Sequence, residues 1–221
     1  MGALALTSIL SGCGKRQPHP TPEQEMNAVM EANSPFGAAE IRMDDAMARA
    51  VGADVGDSWV RKMIEHHKGA IAIARETLAL NPDANVAGMA RATIDGQTRE
   101  IADLQRLLVK GSPDPASADL YQPTMDKMHQ AMMAATGTSL SQTFHRKMLE
   151  HNKGAVAMAD VALANGVTGA VRAEVEKSRA DHLKQAERIE RMLRNEADAR
   201  AQGGSATLDR ANKAAAAKSA T

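Results

Sequence analysis

Apolar residues recur at helical spacing through residues 38–196, and turn-forming residues interrupt the pattern at intervals. The spacing predicts two short helices and four long ones, near 38–50, 57–80, 84–110, 119–135, 140–165 and 168–196. Asp57-Ser58 is typical of a helix start, and Gly111 and Asn165-Gly166 are typical of helix ends. Because long helices joined by short loops pack antiparallel, the chain is predicted to be an all-α four-helix bundle with two short extra helices.

The second half of this stretch repeats the first at a fixed offset, with Glu65 matching Glu150, 85 positions later. The segment KMIEHHKGAIAIA (62–74) returns as KMLEHNKGAVAMA (147–159). Each copy contains one short and two long helices, and one copy could not bury its apolar face alone. We therefore expect one duplicated domain over residues 38–197, with pseudo-twofold symmetry.

The two ends of the chain differ in composition from this domain. Pro and polar residues indicate a tether over 14–37, and the lack of large apolar residues predicts a disordered tail over 198–221. Residues 1–13 end in Leu-Ser-Gly-Cys behind an apolar stretch, which is similar to a bacterial lipobox. We therefore predict lipidation of Cys13 and a lipoprotein of the cell envelope or periplasm, anchored to a membrane through its lipid alone. The alternative is a soluble protein with a chance cysteine, because no Lys or Arg precedes Cys13.

The charge balance excludes one large class of partners. Lys plus Arg and Asp plus Glu both number 27, and aromatic residues make up 2% of the chain. Nucleic-acid binding needs a basic surface and often aromatic stacking, so no nucleic-acid partner is expected. With a single cysteine, a cysteine-based zinc site is also excluded.

Polar side chains interrupt the apolar stripes of all four long helices. An unpaired buried polar group costs roughly 1–3 kcal/mol, so these side chains are expected to meet one another, water or a metal ion. Those that fall on the inward faces are His66, His67, Gln97, His151, Asn152 and His182.

Methionine adds a second kind of metal ligand, since the chain has 14 of them. Residues three or four apart on a helix lie on the same face, which joins Met63 to His66 and His67. Imidazole and thioether together suit Cu(I) or Ag(I), and do not suit Mg, Ca or Mn. The first predicted half-site is Met63, His66 and His67; the second is Met148, His151 and Met158. The secondary candidates on the short helices are Met43, Met47, Met128, Met132 and His129. His182 and Gln97 are expected to be hydrogen-bond partners rather than ligands.

Other interpretations are weaker or stay open. No Glu-x-x-His or His-Glu-x-x-His occurs, which argues against a di-iron carboxylate site and against zinc hydrolase chemistry. No catalytic motif is apparent, so the protein is predicted not to be an enzyme. One alternative is a structural or interaction bundle with a buried His/Gln network and no metal. Another is a copper oxidoreductase, which would need an open coordination position.

The segments Met63–Ile71 (MIEHHKGAI) and Gln97–Ile101 (QTREI) resemble the family called domain of unknown function 305. The resemblance covers about residues 38–196 and implies a ferritin-like bundle. The family includes copper-binding periplasmic proteins of the CopM type, so it also implies Cu(I) or Ag(I) binding in metal sequestration, tolerance or delivery. A copper-efflux or copper-oxidase protein is then a possible partner. The chain departs from the family pattern at Ile73, often methionine in the family, and at Asn152, where the second copy lacks the second histidine.

Overall fold

The computed structural model describes residues 34–219, with side chains through Gln202. Residues 1–33, which include Cys13 and most of the predicted tether, lie outside the described part. The helices of the described part are α1 Gly37–Arg49, α2 Val55–Ala79, α3 Ala84–Gln105, α4 Pro115–Asp119, α5 Gln122–Ala134, α6 Leu140–Ala164 and α7 Gly169–Ser219. The predicted all-α class is thereby confirmed. None of these helices has the combination of length and hydrophobicity that crossing a membrane would require.

The four long helices α2, α3, α6 and α7 form the bundle, and its arrangement is compatible with the predicted ferritin-like architecture. Within each copy the two long helices pack on each other, and α2 and α6 join the copies at the centre. The short helices α1 and α5 cover α2 and α6, respectively, and also contact each other. The aromatic residues Trp59 and Phe144, which occupy equivalent positions, are fully buried in one shared core.

Two buried lysines fix the short helices to the bundle in the same way in both copies. Lys62 donates through Nζ to the carbonyl oxygen of Met47 at 2.9 Å. Lys147 donates to the carbonyl oxygen of Met132 at 2.8 Å. These carbonyls end α1 and α5, where helices leave acceptors unsatisfied. The repeat seen in the sequence is therefore also a repeat of tertiary hydrogen bonds.

The helix start predicted at Asp57-Ser58 is wrong by a few residues. Helix α2 begins at Val55, and the side chain of Asp54 accepts the N–H of Asp57 at 2.8 Å as its N-cap. The Asp57 carboxylate instead accepts the N–H of Ala53 at 2.9 Å and the side chain of Arg61 at 2.8 Å. Asp57 therefore stabilises the loop before α2, and Asp54 is the N-cap of the helix.

The end of α3 also differs from the prediction. The helix stops at Gln105, before the predicted end at residue 110. The N–H of Val109 donates to Asp57 at 3.2 Å, and Arg61 donates to the carbonyl oxygen of Val109 at 3.1 Å. These long-range bonds turn the chain towards α2, which a pattern of local residues does not reveal.

The chain termini of the described part extend the helical domain in both directions. Phe36, inside the predicted tether, is fully buried beside α1. Helix α7 does not end near residue 196 and runs to Ser219, through most of the segment predicted to be disordered. Alanine-rich sequence without proline has high helix propensity, so the absence of large apolar residues removes packing partners without removing the helix.

Glycines at equivalent positions let each short helix approach its long helix. A Cβ atom at Gly69 would overlap the side chain of Met43, and one at Gly154 would overlap Met128. The two glycines therefore allow α1 and α5 to lie close against α2 and α6. This close approach also gives Met43 and Met128 a packing role that does not involve a metal.

We expect Gly69→Ala to destabilise the protein by about 1–3 kcal/mol, because α1 must move to make room for the methyl group. The matched control is Gly88→Ala on α3, where an added Cβ meets no atom of the described chain within 4 Å. There, the higher helix propensity of alanine should stabilise the fold by up to about 1 kcal/mol. Urea unfolding measures both changes; equal stabilisation by both variants would contradict the packing of Met43 on Gly69.

Candidate metal centre

The inward polar residues predicted from the sequence meet at the centre of the bundle. Two lie on α2, one on α3, two on α6 and one on α7. All are buried, with no more than 3% of any residue exposed: His66, His67, Gln97, His151, Asn152 and His182. The four long helices thus place six polar side chains in a region from which water is excluded, and each must find a partner there.

His66 and His151 stack on each other across the pseudo-twofold axis. Their ring centroids are 3.6 Å apart, and their planes differ by 19°. They are equivalent residues of the two copies, 85 positions apart. The ring of His66 is further held by a hydrogen bond from Nε2 to the carbonyl oxygen of His151 at 3.2 Å. The pair marks the point at which the two half-sites predicted from the sequence meet.

Three imidazoles converge on one side of this stack. One ring nitrogen from each of His66, His67 and His182 lies within 4.8 Å of the corresponding nitrogens of the other two. Nitrogens bound to one ion at about 2.0 Å lie roughly 3.3 Å apart, so a modest contraction would let all three bind the same ion. His182, predicted to be only a hydrogen-bond partner, therefore joins the histidines of the first copy as a candidate ligand.

A hydrogen bond outside the triad sets the tautomer of His182, whose Nδ1 donates to the carbonyl oxygen of Ser178 at 2.8 Å. His67 Nε2 lies 3.3 Å from a carboxylate oxygen of Glu100. A carbonyl or carboxylate beside one ring nitrogen is the usual support for a histidine that binds metal through the other.

Each triad histidine consequently has one nitrogen with a lone pair and no hydrogen-bond partner in the described part of the chain. These atoms are His66 Nδ1, His67 Nδ1 and His182 Nε2. All three are buried, so within residues 34–219 nothing repays their loss of solvation. Three neighbouring imidazoles, each with one buried and unpartnered ring nitrogen, fit a cation site better than they fit a packed core.

Burial keeps the cluster uncharged. Desolvation, reinforced by the neighbouring His182, lowers the pKa of His66 to about 3. Burial also lowers the pKa of His67, His151 and His182, although a hydrogen bond with Gln97 partly opposes the shift at His67. Neutral imidazoles keep the lone pairs that a metal ion requires. Burial raises the pKa of the nearby Glu100, whereas Lys177 acts in the opposite direction.

The pseudo-twofold axis relates the triad to a chemically different set of side chains, one of which, Gln97, is hydrogen-bonded to His67 of the triad. The equivalents of His66, His67 and His182 are His151, Asn152 and Gln97. Here two imidazoles are replaced by carboxamides, which are weak ligands for soft ions. The Asn152 side chain donates to the carbonyl oxygen of Met148 at 2.6 Å. The duplicated framework therefore contains one three-imidazole side and one amide side.

The predicted methionine ligands are buried but differ in their surroundings. Met63, Met148 and Met158 belong to the core of the long helices, each with 2% or less exposed. The short-helix candidates Met47 and Met132 have their carbonyl groups bound by lysine, and their side chains are also in the core. His129 is half-buried on α5. Burial raises the pKa of Asp44 on α1, and the nearby His129 partly opposes that shift. The structure thus brings together the histidines of the two predicted half-sites. The candidates on the short helices lie instead on α1 and α5, where the methionines pack against the long helices.

Comparison with known proteins gives one match. Residues 4–108 match the model of a family described as Domain of unknown function (DUF305). The matched segment includes His66, His67, Gln97 and Glu100. No curated protein and no solved structure matches the chain. The match covers a little under half of the chain and names no function.

We expect His151→Phe to stabilise the metal-free protein by about 1–3 kcal/mol, because both ring nitrogens of His151 are buried without a partner in the described chain. Phenylalanine retains a flat ring for stacking on His66 and removes the polar atoms. His129→Phe is the control, because a half-buried histidine gains little from the same change, within about 0.5 kcal/mol. Chemical unfolding of metal-free protein measures the difference. A loss of stability in His151→Phe alone would show that the His151 nitrogens have partners in solution.

Proposed function

We propose that the chain, whose residues 4–108 match the DUF305 model, is a non-enzymatic member of that family that binds Cu(I) or Ag(I) between His66, His67 and His182. The observation that carries the proposal is the convergence of three buried imidazoles on one small region. Each of these residues also has one buried ring nitrogen without a hydrogen-bond partner in the described chain. Imidazole alone suits several transition metals, so the choice of ion rests on charge and on the surrounding sulfur.

Charge favours a monovalent ion at this position. The cost of moving an ion from water into a low-dielectric interior grows with the square of its charge, and neutral ligands do not offset it. The carboxylate in contact with the triad belongs to Glu100, which lies against His67. One carboxylate balances one positive charge. Cu(I) or Ag(I) therefore suits the cluster better than a divalent ion, and thioethers in the same core favour the same soft ions.

The ligand arrangement favours storage or transfer of metal over catalysis. Catalytic metal sites keep a coordination position open to substrate. In this cluster the three imidazoles belong to residues with no more than 1% exposed, and the ring of His151 covers His66. A low-coordinate ion enclosed by imidazoles has no place for a substrate. This supports sequestration, tolerance or delivery of the metal.

We further propose that the protein works in the cell envelope or periplasm as a lipoprotein anchored through Cys13. The support is the Leu-Ser-Gly-Cys sequence that ends at Cys13. A thioether keeps its metal-binding form in an oxidising compartment, where thiols form disulfides. A copper-efflux or copper-oxidase protein would be the partner that receives or supplies the ion. Metabolic labelling with a palmitate analogue tests this placement, with Cys13→Ser as the control that should lose the label.

The first metal prediction concerns His182, which the sequence did not select as a ligand. His182→Gln and His66→Gln/His67→Gln should each weaken Cu(I) binding by roughly 100-fold or more, because a ligand of a three-coordinate ion is lost. Competition with a chromogenic Cu(I) chelator under anaerobic conditions measures the affinity. His129→Gln, outside the triad, should bind as tightly as the original protein. Equal affinities in all four proteins would contradict the site, and absence of binding in the original protein would favour a metal-free polar network.

The second metal prediction uses the amide side of the stack. The set equivalent to the triad has one imidazole, that of His151, and two carboxamides. Gln97→His/Asn152→His gives this set three imidazoles. The doubly substituted protein should bind two ions per chain, the second more weakly because two cations at short distance repel each other. Metal analysis after gel filtration measures the stoichiometry, and each single substitution should leave it at one. A ratio of one in the double variant would show that the two sides are not equivalent frameworks.

A further inference from the structure

A cavity of about 170 Å³ separates α3 from α7 and reaches down to α6. Its outer wall includes the exposed residues Ala92 and Arg188, and its floor includes the buried residues Gln97, Met148 and Asn152. Helices α3 and α7 approach each other less closely than α2 and α3 or α6 and α7 do. The cavity therefore leads from the surface to the edge of the histidine cluster.

A larger groove of about 670 Å³ adjoins the cavity at the surface and shares Met89 and Arg188 with it. The groove is also lined by Met192 and by the acidic side chains of Asp83 and Glu196. Met192 and Met89 are half-buried, and Met148 at the cavity floor is 2% exposed. Two half-buried thioethers and one buried thioether thus line the groove and the cavity.

The duplication provides an internal comparison for this opening. On the equivalent side of the bundle, the counterparts of Met89, Ala92 and Gly96 are Glu174, Lys177 and Asp181. Lys177 Nζ lies 3.2 Å from Glu174 Oε1 and 3.9 Å from Asp181 Oδ2, so paired charged side chains cover that surface. One side of the bundle therefore has small residues and sulfur where the other has an ion-pair network.

We propose that the opening between α3 and α7 is the route by which Cu(I) or Ag(I) enters and leaves the histidine triad. Met192, Met89 and Met148 act as successive transient ligands along it. This inference rests on the metal-binding function proposed above. The ion exchanges one neutral ligand for another at each step, with no change of oxidation state and no proton transfer. A thioether holds a soft ion without competing for long against three imidazoles.

The last part of the route brings the ion from sulfur to nitrogen. Glu100 lines the cavity and also contacts His67 at 3.3 Å, so its carboxylate draws a cation towards the triad. Gln97, at the cavity floor, is hydrogen-bonded to the same His67. A small movement of these two side chains of α3 connects the cavity to the ring nitrogens.

The experiment measures rates rather than affinity. Gly96 lines the cavity, and a Cβ there meets no atom of the described chain within 4 Å, so Gly96→Phe attaches a ring at the opening without overlap at its Cβ. Gly88→Phe is the matched control, on the same helix and away from the cavity lining. Met89→Leu removes the shared thioether at similar volume, and Met133→Leu is its control on α5. Stopped-flow transfer of Cu(I) from and to a chromogenic chelator gives the uptake and release rates.

The route predicts that Gly96→Phe and Met89→Leu slow uptake and release together, by about fivefold or more, with unchanged affinity and with both controls unaffected. Unchanged rates in both variants would overturn the route while leaving the metal site intact. A weaker affinity in Met89→Leu with unchanged release would make Met89 a permanent ligand and would also overturn it. If the original protein binds neither Cu(I) nor Ag(I), the proposed function fails, and the route fails with it.

Discussion

The stacking of His66 on His151, with ring centroids 3.6 Å apart, fixes the centre of this protein. Around this pair, helices from both copies bring His67, His182 and two carboxamides out of water. Burying them is costly, so the molecule must either bond them or bind something between them. Hydrogen bonds hold one ring nitrogen of His66 and one of His182, and one nitrogen of each triad histidine has no partner in the described chain. If the triad binds an ion as proposed, the helices set the ligand geometry in advance, which lowers the cost of binding.

Duplication supplied two equivalent frameworks, and substitution gave them different chemistry. Buried lysines, loop hydrogen bonds and methionines packed on glycine occur in both copies, so they preserve the shape of each half. The differences lie beside the axis, where His67 and His182 oppose Asn152 and Gln97. They also lie between α3 and α7, where small residues and methionines on one side oppose charged residues on the other. The symmetric framework therefore has an asymmetric interior, and the proposed site and the proposed route both lie where the two copies differ.

Much of this organisation follows from the sequence, because period and repeat reflect packing directly. The four long helices, the duplication and the burial of six polar residues were all predicted. The partnership of His182 with His66 and His67 was not, since spacing along one helix does not tell which residues of another helix face it. The offset of the repeat contained a usable signal. His67 corresponds to Asn152, and His182 corresponds to Gln97, so each of these pairs has one imidazole and one carboxamide. The helix start at Asp54 and the end of α3 depended on long-range hydrogen bonds, which no local pattern shows.

The most direct test of the account is the position of the ion itself. Crystals of the protein loaded with Ag(I) would give an anomalous difference map that locates the metal without assumptions about its ligands. We expect one dominant peak at full loading, within bonding distance of ring nitrogens of His66, His67 and His182. A dominant peak at the methionines of the short helices α1 and α5, with none inside the histidine cluster, would contradict it.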